Sequence, residues 1–198
     1  MGIEYELKFR ANADALAAIK QDHSLVPQQV FQMETTYYDT PSCALSARHY
    51  TLRQRLENGQ RVCTLKTPAQ GISRNELELV CDDFSCAIEY FCKNGAPKDF
   101  ADLISEGLSP VCGARFQRTA ISFGLDDATF VELALDSGIL LGGEQSIPLC
   151  EVEVELKSGS KELADAFATI LADRYGLVPE RKSKFRRAFD LYQKGGSL

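Results

Sequence analysis

Charged side chains recur at every second position on several stretches of this chain, in a rhythm that could assemble a site for anions and metal ions. Glu4, Glu6 and Lys8 open the sequence; Arg53 and Arg55, then Lys66, then Arg74, Glu76 and Glu78 follow; Glu132, Asp136, Glu151, Glu153 and Glu155 come later. Successive side chains of an extended strand point to opposite faces. The charges would therefore line one face, with Tyr5, Leu7, Phe9 and Cys150, Val152, Val154, Leu156 on the other. Rows of like carboxylates are unfavourable unless cations sit among them. An all-carboxylate donor set without His or Cys suits hard ions, magnesium or manganese. Lys8, Arg10, Arg53, Arg55, Lys66, Arg74, Arg118, Lys182 and Lys184 would roughly balance the acids if they shared that face. The guanidinium fork matches phosphate oxygens and the lysine ammonium supplies a mobile point charge. A solvated sheet face would carry such charges, and ion pairing alone could fill an enclosed one, but burying so many ions is rarely repaid by pairing. A polyphosphate with divalent ions places an anion among the bases and cations among the acids.

These residues need strands to hold them. The first strand ends near Phe9, and Asn12 or Asp14 caps a short helix running to Lys20. Strands are predicted over 31–39 and 49–57. Asn58-Gly59 turns the latter back into 60–67, and 74–81 follows. Helical spacing over 83–106, broken at Asn94-Gly95-Ala96-Pro97, predicts two short helices. Strands over 115–125, 128–136 and 150–157 come next, with Gly142-Gly143 read as a turn. Ser160 caps a helix to about Tyr175, and 183–192 forms a last one. About eight β segments joined by short turns predict a mainly β protein with flanking helices (α+β). The expected form is a closed eight-stranded antiparallel β-barrel forming a tunnel with a charged lumen.

With 198 residues, 44% of them hydrophobic and 25% charged, the chain has the composition of one folded domain over 1–198 rather than a disordered segment. A net charge of −6 disfavours nonspecific nucleic-acid binding. No apolar run approaches a membrane span and the N-terminus does not read as a signal peptide, so a cytoplasmic protein without membrane attachment is expected. The seven cysteines form no C-x-x-C pair, and His23 and His49 complete no zinc pattern; free structural thiols are the reading. Phosphate-loop, nucleophile-elbow and H-E-x-x-H motifs are missing from the sequence.

In order and spacing, the motifs resemble the CYTH family, the triphosphate tunnel metalloenzymes. The resemblance rests on Glu4-x-Glu6-x-Lys8, Tyr38-Asp39-Thr40-Pro41 with Leu45, Leu52-Arg53-x-Arg55 and Thr64-Leu65-Lys66-Thr67. It continues through Arg74-x-Glu76-x-Glu78, 132–136, Cys150-Glu151-x-Glu153-x-Glu155-Leu156 and Ser183-Lys184-Phe185-Arg186-Arg187. The chain is most similar to the family's bacterial inorganic triphosphatases, which often add a helical domain that is not expected within these 198 residues. The resemblance implies magnesium- or manganese-dependent hydrolysis of inorganic triphosphate to pyrophosphate and phosphate, with adenylate cyclase, thiamine or nucleoside triphosphatase and a noncatalytic polyphosphate-binding module as alternatives. It implies metal ligands at Glu4, Glu6, Glu151, Glu153 and Glu155, and substrate contacts from Lys8, Arg53, Arg55, Lys66, Arg74, Arg118 and Lys184. Catalytic roles would fall to Lys66, Lys184, Glu76 and Glu78. It departs at Arg118: the family usually has two bases there, spaced by two residues, whereas this chain has Phe116 and Ala120. Arg115 would face inward only if its strand bulged.

Overall fold

The computed structural model describes residues 2–22, 25 and 28–195, so His23 lies outside the described residues. The strands are β1 (Gly2–Glu4), β2 (Glu6–Arg10), β3 (Gln28–Asp39), β4 (Thr51–Glu57), β5 (Gln60–Pro68) and β6 (Arg74–Val80). They continue with β7 (Ser109–Gly124), β8 (Phe130–Gly142), β9 (Gln145–Ser158) and β10 (Val178–Pro179). The helices are α1 (Ala13–Lys20), α2 (Ala44–Ala47), α3 (Phe84–Lys93), α4 (Phe100–Leu103), α5 (Lys161–Tyr175) and α6 (Lys184–Gly195). The mainly β architecture with flanking helices is as expected.

The closed eight-stranded barrel is not what forms. The described strands make one ten-stranded antiparallel sheet in the order β1-β6-β5-β4-β3-β7-β8-β9-β2-β10, whose end strands β1 and β10 do not pair with each other. The reason lies at Tyr5, where the first predicted strand divides. Its first half pairs with β6, Glu4 opposite Arg74, and its second half pairs with β9, Glu6 opposite Glu155. Short β10 then adds to the far side of β2, with Val178 opposite Arg10. The N-terminal segment thus reaches both flanks of a strongly curled sheet without joining them in one ladder.

Strand lengths differ from expectation as well. β7, β8 and β9 are long because their hairpins continue past Ser137-Gly138, and the turn comes only at Gly143, whose φ of +58° suits glycine. The outward face is apolar and roofed by helices. Phe9, Leu133, Leu135, Val152 and Val154 pack with Leu16 and Ile19 of α1 and Ala164, Ala168 and Leu171 of α5. Leu52, Cys63, Leu65 and Leu77 pack with Ala87 and Phe91 of α3. The ends of α1 and α5 follow from local chemistry. Asn12 Oδ1 accepts from Ala15 N and Ser160 Oγ from Leu163 N, while Gly176 closes α5 in the left-handed conformation.

Helix α6 matters most for the cavity, because its first turn delivers Lys184. It lies directly on Gly142: a Cβ there would come within 2.3 Å of Ala188 O and 2.5 Å of Tyr192 N. The close approach is sealed by aromatic contacts running Tyr192–Phe189–Phe185–Tyr37, at ring separations of 5.8, 5.3 and 5.2 Å. Gly142→Ala is accordingly expected to push α6 outward and cost about 1–3 kcal/mol, the range for overpacking. Urea unfolding of the variant checks this, and an unchanged midpoint would contradict the packing. No helix among the described residues is long and apolar enough to cross a membrane.

Candidate active site

The concave face of the sheet surrounds a cavity of about 530 Å³ walled mainly by charged side chains, with Phe31, Met33, Tyr37, Ile72 and Phe185 among them. Alternation supplies it: the even-numbered positions of β2 and β6, and the odd-numbered positions of β4 and β9, face inward while their neighbours enter the apolar layer. The cavity brings together Glu4, Glu6, Lys8, Arg53, Arg55, Lys66, Arg74, Glu76, Glu78, Arg118, Glu153, Glu155 and Lys184. Arg10 and Asp136, expected on that face from the sequence, do not line it, Arg10 being exposed beside Glu180 and Asp136 fully buried; of the named metal ligands, substrate contacts and catalytic residues, neither does Glu151. It is fully buried behind the wall, bonded to Lys184 Nζ and Arg187.

Lys184 anchors this part of the wall. Its ammonium lies 2.8 Å from Asp136 and 2.7 Å from Glu153 and also contacts Glu151. Asp136 is itself gripped by Arg118 through two bonds of 2.8 and 2.7 Å, and Arg118 reaches Glu153 at 2.5 Å. Burial alone would lower the Lys184 and Arg118 pKa values, but the carboxylates around them hold both raised. Burial would also raise Glu153, yet Lys184 and Arg118 keep it well below the usual carboxylate range. Glu151 goes the other way: burial, reinforced by the Glu153 charge and against the pull of Lys184, pushes it up to about 7.

The sign of the Glu151 shift gives a pH prediction. A group whose folded pKa of about 7 exceeds the ordinary 4.5 holds more protons folded than unfolded, so its contribution to stability declines as pH rises between those values. Glu151→Gln keeps the shape and removes the titration. Its urea midpoint is expected to fall less than that of the unaltered protein between about pH 5 and about pH 8, and parallel profiles would contradict the assignment.

Beside this anchor, Arg53 and Arg55 have few acids to pair with. Arg55 donates to Thr35 Oγ1 at 3.0 Å and touches Glu57 at 3.3 Å. Burial, then the neighbouring Arg53 and Arg118 charges, push its pKa down to about 10. Arg55, Arg118 and Lys184 stand around the buried Phe116 ring, 5.8, 5.8 and 5.6 Å from its centroid. The ring's negative face partly offsets their mutual repulsion. Arg53 is 3.9 Å from Glu76, and its buried Nε has no hydrogen-bond partner. Like charges crowded around an unmet donor make a receptor for an anion.

The acids are concentrated elsewhere. Glu6, Glu155 and Glu132 lie opposite one another on β2, β9 and β8, and Glu4 and Glu132 both act to raise the Glu155 pKa, which burial raises first. Lys157 bridges Glu155 at 2.7 Å and Glu132 at 3.7 Å, and Lys8 holds Glu6 at 2.9 Å. Glu4 contacts Lys66 through Oε1, while its buried Oε2 has no partner. A crowded set of carboxylate oxygens with one orphaned acceptor fits a hard divalent cation. A second set, Asp136, Glu151 and Glu153, offers three buried carboxylate oxygens within 4.8 Å of one another and could hold a metal by its donors. There the Lys184 ammonium already stands among them.

Glu78 is raised by burial and by its neighbour Glu76, which is 3.4 Å from Lys66. His49, Thr51, Glu57, Lys157, Arg181 and Arg186 also line the cavity and carried no role in the sequence reading. Lys157 was within reach of it, because it continues the alternation of Glu151, Glu153 and Glu155 by one step. Arg115 faces outward, paired with Glu34 at 3.1 Å in an unbulged stretch of the β7–β8 ladder. One base, Arg118, therefore serves that strand, and Ala120 lines the cavity beside it.

The chain is 29% identical over 176 residues to an inorganic triphosphatase of Haemophilus influenzae; the match covers 86% of the chain but 49% of that relative, so the chain spans about half its length. Among solved structures, a candidate adenylyl cyclase from Hippeastrum, described as having a dominant triphosphatase activity, superposes with a TM-score of 0.66 at 17% identity. That match covers 100% of this chain and 98% of the other. The PH1819 protein of Pyrococcus horikoshii superposes at 0.62 with 21% identity, covering 94% and 98%. These two likenesses establish the fold. The CYTH domain family model matches residues 2–189, nearly the whole chain, with the charged strands and the first half of α6 inside the match: this chain belongs to the CYTH domain family.

Proposed function

We propose that this chain hydrolyses inorganic triphosphate to pyrophosphate and phosphate in the cytoplasm, using magnesium or manganese. The observation that carries the reading is the pairing of unmet groups in one cavity: Arg53 Nε wants an acceptor and Glu4 Oε2 wants a cation. A polyphosphate accompanied by a divalent ion supplies both. The family membership and the name of the Haemophilus relative point the same way.

In this reading Lys8, Arg53, Arg55, Arg74, Arg118 and Lys184 hold the phosphate oxygens. Their fixed charges stabilise negative charge where it develops, the main source of acceleration in phosphoryl transfer. Glu4, Glu6 and Glu155 would hold the metal, with Glu132 beside them, and the ion would add a positive charge that offsets the phosphates. Glu76 and Glu78 orient a water for attack on the terminal phosphorus. The raised pKa of Glu78 brings it closer to a working general base. Lys66, between Glu4 and Glu76, steadies the departing oxygen. One water is consumed, one phosphorus–oxygen bond breaks, and pyrophosphate leaves.

A panel of inorganic triphosphate, ATP and thiamine triphosphate, each with magnesium and read for phosphate and cyclic AMP, tests the proposal. Preference for inorganic triphosphate by at least about tenfold in kcat/KM is expected, a difference of about 1.4 kcal/mol in transition-state binding. Cyclic AMP as the main product of ATP, preference for thiamine triphosphate, or tight binding without phosphate release would each overturn it.

A further inference from the structure

On the opposite face of the sheet from the cavity, Cys63 of β5 and Cys81, just past the end of β6, approach each other to 3.8 Å between sulfurs. Cys63 lies opposite Leu79 in the β5–β6 ladder, and Cys81 N bonds to Arg61 O at 3.1 Å, so the two cysteines are diagonal neighbours on one face. Cys63 is fully buried and also receives a weak contact from Gln54 at 3.7 Å. Cys81 is only half-buried and stands where the strand gives way to the turn before α3, with its thiol also within 3.4 Å of Asp83 O. We infer that Cys63 and Cys81 are a dithiol site that closes to an intramolecular disulfide under oxidation, tying β5 to β6.

The geometry assigns the order of events. Cys81 is reachable by a small oxidant and Cys63 is not. A peroxide converts the Cys81 thiol to a sulfenic acid and is itself reduced to water. The Cys63 sulfur then attacks the Cys81 sulfur, a second water leaves, and the S–S bond forms. A low-molecular-weight disulfide reaches the same product through a mixed disulfide on Cys81, releasing two thiols. Burial pushes the Cys63 thiol up to about 12, which keeps it protonated and inert to oxidant; it must give up its proton as it attacks, so the proximity of Cys81 and not its acidity drives the second step. Closing 3.8 Å to the roughly 2.05 Å of a disulfide asks for rotation at Cys81 and, between diagonal positions, a shift of its backbone, which the end of a strand permits. The flanking residues Thr64, Lys66, Glu76 and Glu78 face the other side, so the bond would stiffen the strands that carry them without entering the cavity.

The test uses the full chain with the two exposed cysteines of α3 removed as Cys86→Ser and Cys92→Ser. It is treated separately with hydrogen peroxide and with oxidised glutathione, then read by thiol titration and peptide mass mapping. Two thiols are expected to disappear together, with one peptide linking 63 to 81 that dithiothreitol releases. The thermal midpoint is expected to rise by about 5–10 °C, as for closure of a short loop. Adding Cys81→Ser should abolish both effects. The inference fails if Cys81 ends as a glutathione adduct or sulfinic acid while Cys63 stays a free thiol, if other cysteine pairs link instead, or if the linked protein melts no higher than the reduced one.

Discussion

Lys184→Met is expected to reduce kcat/KM for triphosphate hydrolysis by a factor of about 10²–10³ and to destabilise the fold by about 3–5 kcal/mol. Both effects come from one contact set. The ammonium is buried and lies among Asp136, Glu151 and Glu153, while its lysine also lines the cavity. Methionine fills the space but leaves three carboxylates with only Arg118 and Arg187 against them. Removing one partner of a buried ionic cluster exposes the full desolvation cost of the others. The loss should depend on pH, because Glu151 can take up a proton more readily once Lys184 no longer opposes it. The stability defect is therefore expected to shrink from about pH 8 to about pH 5, while the activity defect persists. Urea unfolding and steady-state phosphate release at those two pH values check it. A variant that keeps near-normal turnover would remove Lys184 from the phosphate grip.

Glu4→Gln combined with Glu6→Gln should separate activity from stability. Turnover is expected to fall by about 10²-fold or more, with a rise of at least tenfold in the divalent cation needed for half-maximal rate. Stability should stay within about 1 kcal/mol of the unaltered protein. The contacts from Glu6 to Lys8 and from Glu4 to Lys66 are lost, but so is the repulsion along the Glu6–Glu155–Glu132 row and the burden of the orphaned Glu4 Oε2. A purely structural role for these two residues would instead lower stability and leave the cation requirement unchanged.

The strand alternation was legible in the sequence because a period of two assigns faces wherever one side is buried. Glu4, Glu6 and Lys8 do line the cavity, and Phe9, Val152 and Val154 do enter the apolar layer. That the sheet stays open was not legible. It turns on the division of the first strand at Tyr5, and no residue there is a Gly, Pro or Asn that would announce a break; Tyr5 O accepts from Leu156 N and its hydroxyl is drawn to Asp165 of α5. The depth of each inward residue was equally hidden. Glu151 shares the period of Glu153 and Glu155, yet α6 crosses above it and brings Lys184 and Arg187 down onto it, a contact made across 33 and 36 residues of sequence. Arg187 was quoted only as part of a motif, because helical spacing alone does not say which turn meets the sheet. The extra length of β8 and β9 was masked by Ser137-Gly138, which reads as punctuation but sits within a strand where Gly138 lets the backbone of Phe116 come close.

In the proposed reaction the cavity handles a polyphosphate and a divalent ion together. Phosphate release from inorganic triphosphate, measured with magnesium and again with excess chelator, tests that most directly. One phosphate per triphosphate is expected, at a rate at least about 10²-fold higher with the cation, a difference of about 2.7 kcal/mol in the barrier. Equal rates with and without the cation would contradict it.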